Sequence, residues 1–408
     1  MGRSLRAARV ATFVYFALCG TVMGTWVVQI PAIEDRVGIS HATLGGLLVL
    51  LGGGAFLGMQ VTGPLTDRLG ARLVLPTSAV LCSAALVLPA LAHGVWTLAV
   101  ALLVLGFCNG CLDVSMNAHA VHVEKAYGRP VMSAFHATFS IGGVLAALLV
   151  AAATSAGLHT AVTMGIIAVA GIVTALVAAR SVLPTTRPAA DAASGPAGQA
   201  ADPQVKRGVS ASRIWFLAAL AFMVMLCEGA ANDWSALHMK DILGASVSTA
   251  AFAYGTYAAL MTTGRLFADR LVARFGPMAI LRCGAALAAV GITAVAVTPW
   301  AGGAFAGWAL FGLGLSGCVP QLLSAAGHAD PANAGAAVSR VSGLGYVGML
   351  AGPAVIGWLT HLVPLNRAFL LLTLFCLIAS AAAGVLRPGR STVRVASGRP
   401  RKAACSDR

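Results

Sequence analysis

Residues 63–72 read GPLTDRLGAR, and residues 264–276 read GRLFADRLVARFG. Each is a charged, glycine-flanked interruption in a chain that is otherwise strongly apolar. Aligning Asp67 with Asp269 sets the two copies 202 positions apart, close to half of the 408 residues. A second pair agrees: GTVMGTW (20–26) and EGAANDW (228–234) match at an offset of 208, which brings Trp26 onto Trp234. The chain is built twice.

What is repeated follows from composition. Fifty-eight percent of the residues are hydrophobic and 10 percent are charged, with a mean hydropathy of +0.85. A soluble domain carries roughly 25 percent charged residues, so this chain lacks the polar surface to face water all round. An apolar run of about 20 residues spans a bilayer as a helix. Twelve such runs occur, over approximately 10–30, 44–63, 73–92, 96–118, 131–154, 160–179, 213–235, 249–268, 278–298, 301–323, 337–359 and 366–386. Glycine-rich patches such as GGLLVLLGGGAFLG fit this reading, because small residues let membrane helices approach closely. The first run is too long for a signal-peptide core and has no convincing cleavage site. Residues 181–212, SVLPTTRPAADAASGPAGQAADPQVKRGVSAS, have the Pro, Ala, Gly and Ser content of a disordered linker. The expected fold is therefore an all-α polytopic membrane protein of twelve transmembrane helices in two six-helix bundles. Residues 1–180 form the first bundle, 181–212 a cytoplasmic linker, 213–386 the second bundle and 387–408 a basic tail.

Charge placement sets the orientation. Lys and Arg number 27 against 13 Asp and Glu, a net charge of +14 that in a soluble protein would suggest nucleic acid. Here the basic residues collect in alternate loops. With the amino terminus inside, 24 of the 27 fall at cytoplasmic ends, leaving Arg36, Lys240 and Arg367 outside. That asymmetry is the positive-inside rule, and it argues for a bilayer rather than nucleic acid as the partner. Twelve spans then place both termini in the cytoplasm, with the chain a multi-pass monomer of the cell (inner) membrane. The tail from Arg387 carries seven basic residues, suited to the anionic inner leaflet.

Two six-span halves of like orientation joined by a cytoplasmic linker are the layout of a major facilitator. GPLTDRLGAR resembles the sequence that major facilitator superfamily proteins carry between spans two and three, and the weaker copy after span eight fits as well. Within the superfamily, DVSMNAHAVHVEKAYGRPVMSAFHATFSIGG (113–143) looks like a bacterial branch near the fucose–proton symporters. The resemblance implies a latch at the cytoplasmic side, closed while the cavity opens outward. Its expected members are Gly63, Asp67, Arg68, Gly70 and Arg72, with Asp269 and Arg270 from the second copy, and Glu124 and Arg129 from the loop after span four. Gly63 and Gly70 permit tight turns, and Asp67 stands where a carboxylate meets helix amino termini. Mere loop charge bias is the alternative for Arg68, Arg72 and Arg129.

An ionisable residue inside a membrane span costs on the order of 3 kcal/mol on insertion scales and is for that reason usually functional. Three carboxylates meet the description: Asp113 in span four, and Glu228 and Asp233 in span seven. Asn109, Asp113 and Asn117 follow i, i+4, i+8 spacing and share one helical stripe. Glu228 and Asn232 share a face of span seven in the same way, with Trp234 close by as an aromatic platform. The resemblance places spans one, four, seven and ten around a central cavity. Gln29 and Gln321 would then complete the lining from spans one and ten. A carboxyl group in a low-dielectric cavity binds its proton more tightly, which suits proton coupling. In the fucose symporters a span-four carboxylate has this role, and Asp113 matches it. The span-one carboxylate found there has no counterpart between residues 10 and 30. Asp113 and Glu228 are the candidate proton-coupling residues, and an internal salt bridge is the alternative for Asp113.

Other chemistry is poorly supported. Cys108-x-x-Cys111 stands alone within a helix, without the partners of a zinc or redox site. His119, His122, Glu124 and His136 straddle a loop and do not make a zinc geometry. GLGLSG (312–317) matches G-x-G-x-x-G without a preceding strand, and its Gly-Leu-Ser-Gly lacks the facing histidine of a membrane protease; a hinge or a close helix contact is the simpler reading. No enzyme, cofactor or metal is expected. The function expected is secondary active transport of a small solute by alternating access, with proton-coupled symport of a polar solute such as a sugar. The alternative is a drug or metabolite exporter working by proton antiport, although span five lacks the Gly-Pro pair usual in such antiporters.

Overall fold

The computed structural model describes residues 2–39, 41–184 and 211–387. Most of the expected linker (185–210) and the basic tail (388–408) lie outside the described residues. Twelve helical spans follow one another: α1 (Gly2–Val37), α2 (His41–Leu69), α3 (Ala71–Leu91), α4 (Val95–Tyr127), α5 (Met132–Ser155) and α6 (Thr160–Ala179) in the first half, then α7 (Ala211–Leu237), α8 (Val247–Phe275), α9 (Pro277–Val297), α10 (Ala301–Ala329), α11 (Ala334–Leu359) and α12 (Leu365–Leu386). Eleven of them are long and apolar enough to cross a membrane, among the described residues. The exception is α8. It has 29 residues, but Arg265, Asp269, Arg270 and Arg274 crowd its second half, where the hydrophobic pattern alone leads one to expect an apolar run over 249–268.

Each half coheres through close backbone contacts. In the first, Gly54 and Gly58 of α2 lie on the backbone of α4 at Leu103 and Phe107, while Gly106 and Gly110 of α4 lie on α2 at Leu51 and Ala55. In the second, Gly229 of α7 rests on Met349 of α11, and Gly348 and Gly352 return the contact at Phe222 and Leu226. With lipid as apolar as any side chain, such small-residue seams supply the packing that holds membrane helices together.

Several spans are interrupted. The α10 helix breaks between Leu315 and Cys318, at Ser316–Gly317. Nearby, Gly314 lies against the Gly284 carbonyl and Gly312 against that of Tyr257, so the glycine-rich run is both a break and a close contact. The α7 helix continues as a π-helical turn, His238–Ile242.

The start of α1, the α2–α3, α4–α5, α8–α9 and α10–α11 connections and the end of α12 share one end of the molecule, here called the basic end. The chain turns from α2 to α3 at Gly70 and from α8 to α9 at Gly276, with φ of 84° and 82°. Their ψ values of 151° and 161° complete a conformation nearly restricted to glycine. Gly63 differs from the expected turn role. It lies inside α2, where Ser339 and Gly335 of α11 leave no room for a side chain.

The two halves meet along α2–α11 and α5–α8, and α10 also touches α4 and α5. Among the described residues, α1 and α7 are not packed on each other in this way. The halves are joined at the basic end and along α2–α11 as far as Gly52 and Leu350, and a cavity lies between them.

Candidate functional site

The closure at the basic end is built from carboxylates on helix amino termini. Asp67, near the end of α2, accepts the Gly335 N–H at Oδ1 and the Ala336 N–H at Oδ2, both at 2.8 Å. These are orphan donors of the first turn of α11. Asp269, near the end of α8, does the same to α5: Ser133 N–H reaches Oδ1 at 3.0 Å and Ala134 N–H reaches Oδ2 at 2.7 Å. The acceptors, 67 and 269, and the first donors, 133 and 335, are each separated by 202 positions, so the two contacts are copies of each other with the halves exchanged. A helix amino terminus carries a partial positive charge and free N–H groups, which makes it a ready carboxylate site.

Glu124 adds a third tie. Its Oε2 accepts the Val131 and Met132 N–H groups at 3.0 and 3.1 Å, closing the α4–α5 connection. Its Oε1 accepts the Ser324 hydroxyl from α10 in the other half. Lys125 donates to the Gly327 carbonyl at 2.7 Å. Two arginines expected here turn elsewhere: Arg72 donates to the Val182 carbonyl at 3.1 Å, and Arg270 lies over the Phe267 ring. Arg68 is exposed at the end of α2, and Arg129 lines a smaller cavity of about 650 Å³ beside Glu124.

Above this closure lies a central cavity of about 860 Å³, within the range of about 300–1,000 Å³ common to small-molecule sites. Asp113 reaches it from α4, Glu228 and Asn232 from α7. The shared face anticipated for Glu228 and Asn232 is present, and Asp233 is exposed outside it. Of the stripe on α4, Asp113 alone lines the cavity. Asn117 turns to it, its amide donating to the Asp113 carbonyl at 2.9 Å and to Oδ1 at 3.3 Å. Asn109 is buried and accepts the Cys19 thiol from α1 at 3.5 Å.

Three further expected lining residues are placed elsewhere. Gln29 accepts the Thr160 hydroxyl of α6 at 3.2 Å, so it ties α1 within its own half. Trp234 donates its indole N–H to the Pro353 carbonyl of α11 at 3.1 Å. Gln321 lies past the α10 break and donates to Ser133 Oγ at 3.4 Å, which makes it part of the closure. The break at Ser316–Gly317 shifts the face that a straight helix would present.

The residue that sequence reasoning missed is Arg265. Charge counting places it with the loop arginines at the basic end, yet it lines the central cavity from α8. Its Nη2 stands 3.7 Å from Glu228 Oε2, with the two side chains 13% and 11% exposed. Its Nη1 donates to Ser140 Oγ of α5, in the other half, at 3.3 Å. One signal was available. Arg265 precedes Asp269 by four residues and so shares its helical face, and the first copy has Gly63 at the matching position. His136, weighed in the sequence as a metal ligand, also lines the cavity, with Nδ1 at 3.0 Å from the Met132 carbonyl.

Glu228 Oε1, Arg265 Nε, Tyr257 OH and Ser342 Oγ are buried without a hydrogen-bond partner, and all four residues line this cavity. Eight other buried polar atoms among the described residues are likewise unpaired outside this cavity, but these four face one space and leave it hydrogen-bonding capacity for a polar ligand. Both ring nitrogens of His119 are taken, by Thr12 at 3.1 Å and by the Leu183 N–H at 3.1 Å. Among the described residues no group of three or more His, Cys, Asp or Glu side chains is arranged to hold a metal.

Comparison with known proteins gives a consistent picture. A model of the Major Facilitator Superfamily matches residues 11–328 and 217–405. An uncharacterized MFS-type transporter of Yersinia pestis is 37% identical over 376 residues, covering 92% of this chain and 94% of its own. An uncharacterized transporter of Sinorhizobium fredii is 32% identical, covering 91% and 96%. The structure of the E. coli fucose:proton symporter aligns over 93% of this chain and 98% of its own, with a TM-score of 0.74 at 13% identity. A structure of the same transporter in the outward conformation aligns over the same shares at 0.75 and 16%.

Proposed function

The chain belongs to the major facilitator superfamily, and we propose that it is a proton-coupled symporter carrying a small polar solute across the cell membrane by alternating access. One observation carries this reading: Asp113 from the first half and Glu228 from the second face the same cavity, while carboxylate–helix contacts hold the basic end shut. Carboxylates that meet in a cavity within the membrane are costly unless used.

The charge bias of the loops supports a cytoplasmic basic end, and with that end shut we read this conformation as outward-facing. A proton from the outer solution is taken up by the cavity carboxylates, the solute fills the cavity, and the closure at the basic end opens once the outer end has closed. Asn117, bonded to Asp113 on the same helix, positions that carboxylate rather than the solute. Uptake into proteoliposomes, with and without an imposed pH gradient, tests the reading. Accumulation driven by an inward proton gradient is expected; accumulation driven only by an outward one would establish the antiport alternative.

A further inference from the structure

Among the described residues lining the central cavity, Arg265 is the single permanent cation, and an anionic group on the solute would give it a counter-ion. Its guanidinium offers five N–H donors in a planar fork suited to oxyanions. In this conformation they are poorly used. One reaches Ser140 Oγ at 3.3 Å. Nη2 stands 3.7 Å from Glu228 Oε2, an ion-pair distance but too long for a hydrogen bond. Nε is buried and unpartnered, as is Glu228 Oε1 on the other side of the pair. A bidentate arginine–carboxylate pair would engage both carboxylate oxygens. The pair here is loose, and each member retains capacity for another partner.

We propose that the carried solute bears an oxyanionic group, as a sugar acid does, which docks on Arg265 while Glu228 takes up the cotransported proton. The proposal rests on the proton-coupled reading and specifies its substrate class. The exchange balances. A proton from the outer solution bonds to Glu228 Oε1, and the carboxylate becomes a neutral acid. Arg265 then lacks a counter-ion, and the oxyanion supplies it. Cavity charge is the same before and after, so neither species is carried as an uncompensated charge through a low-dielectric space. Arg265 itself bridges the two halves, because it belongs to α8 and its partner Ser140 to α5. The other titratable groups facing this space are Asp113 on α4, His136 on α5, Tyr254 and Tyr257 on α8, Tyr346 on α11 and Cys19 on α1. The thiols of Cys227 and Cys318 stand behind Glu228.

The test uses the full chain in detergent and in proteoliposomes, with gluconate, glucuronate, glucose 6-phosphate and glucose as probes. Affinity is read from ligand-induced thermal stabilisation at about pH 5.5 and about pH 7.5. At least one oxyanionic probe is expected to bind more than tenfold tighter than glucose, and tighter at the lower pH. R265Q should weaken that binding by about 10- to 100-fold, the scale of a charge-assisted hydrogen bond, while R265K should recover part of it. E228Q should bind the anion with its pH dependence largely removed. The melting temperature of each unliganded variant controls for folding, and should R265Q fail to fold, the comparison passes to R265K and S140A. Tighter binding of glucose, binding of none of the probes, or unchanged anion affinity in folded Arg265 variants overturns the proposal, and a pH dependence that persists in E228Q removes Glu228 from it. Gradient-driven uptake of glucose would retain proton coupling and reject the anion; anion binding without gradient-driven uptake would do the reverse.

Discussion

Asp113 accepts the amide of Asn117 on its own helix, whereas Glu228 faces Arg265 across a 3.7 Å gap, and the two carboxylates respond differently to neutralisation. Asp113→Asn keeps shape and hydrogen-bonding capacity but releases no proton. It is expected to abolish accumulation against a gradient while exchange of solute persists, as counterflow measured beside gradient-driven uptake will show; continued accumulation would remove Asp113 as a coupling acid. Glu228→Gln should reduce transport per folded molecule by at least about tenfold, since it removes the charge opposite a nearly buried guanidinium. Asp233→Asn, at an exposed position, should stay within about twofold, as surface substitutions do. A larger defect in Asp233→Asn than in Glu228→Gln would reverse the assignment. Both cavity acids were legible in the sequence because a carboxylate in an apolar run is conspicuous. Arg265 was not, because it stands close to the end of the expected run 249–268, where an arginine looks like every other topology signal. Gln29, Trp234 and Gln321 were placed by face alone, and each is claimed instead by a hydrogen bond to a neighbouring helix.

The closure works through helix ends. Asp67 and Asp269 each satisfy two first-turn N–H groups, and a hydrogen bond to a charged group contributes about 1.5–3 kcal/mol. Asp67→Ala should therefore move the outward-to-inward ratio toward the inward state by about tenfold or more, on the scale of 1.4 kcal/mol per decade. Asp269→Ala should have a matching effect, and the double variant the sum, because the sites are separate and equivalent. Cysteine-accessibility labelling of cavity positions from each side measures the shift, and unchanged labelling would reduce Asp67 to an ordinary helix-end residue. In the duplicated loop the turn at Gly70 was readable from the sequence, and the structure adds its counterpart at Gly276. What it could not reveal is that Gly63 serves contact with α11 and not a turn, since a glycine needed for φ and one needed for space look alike in a sequence. The break in α10 at Ser316–Gly317 was likewise hidden among glycines that favour either a hinge or a close approach.

For the whole molecule, the span count, the like orientation of the halves and their junction came from hydropathy and the 202-residue repeat, because those signals are sums over many residues. The conformation was not legible, since it depends on which end of the bundle the halves share. A membrane-impermeant thiol reagent applied from outside should label a cysteine placed at Asn232, which lines the cavity, and spare one at Gln321, which is 4% exposed in the closure. Labelling of Gln321 before Asn232 would place the basic end outside. The exchanged contacts have one more consequence. The first half carries both an acceptor, Asp67, and a matching donor terminus at Ser133–Ala134, and the second half carries both as well. In these two contacts the joint resembles an isologous one, in which each surface meets a copy of itself as in a closed homodimer. Two copies of the first half alone, related by a rotation axis along the membrane normal, would satisfy both carboxylates and both helix termini. Across that axis the halves differ where it matters to the cavity, with Arg265 on one side and Gly63 at the matching position on the other.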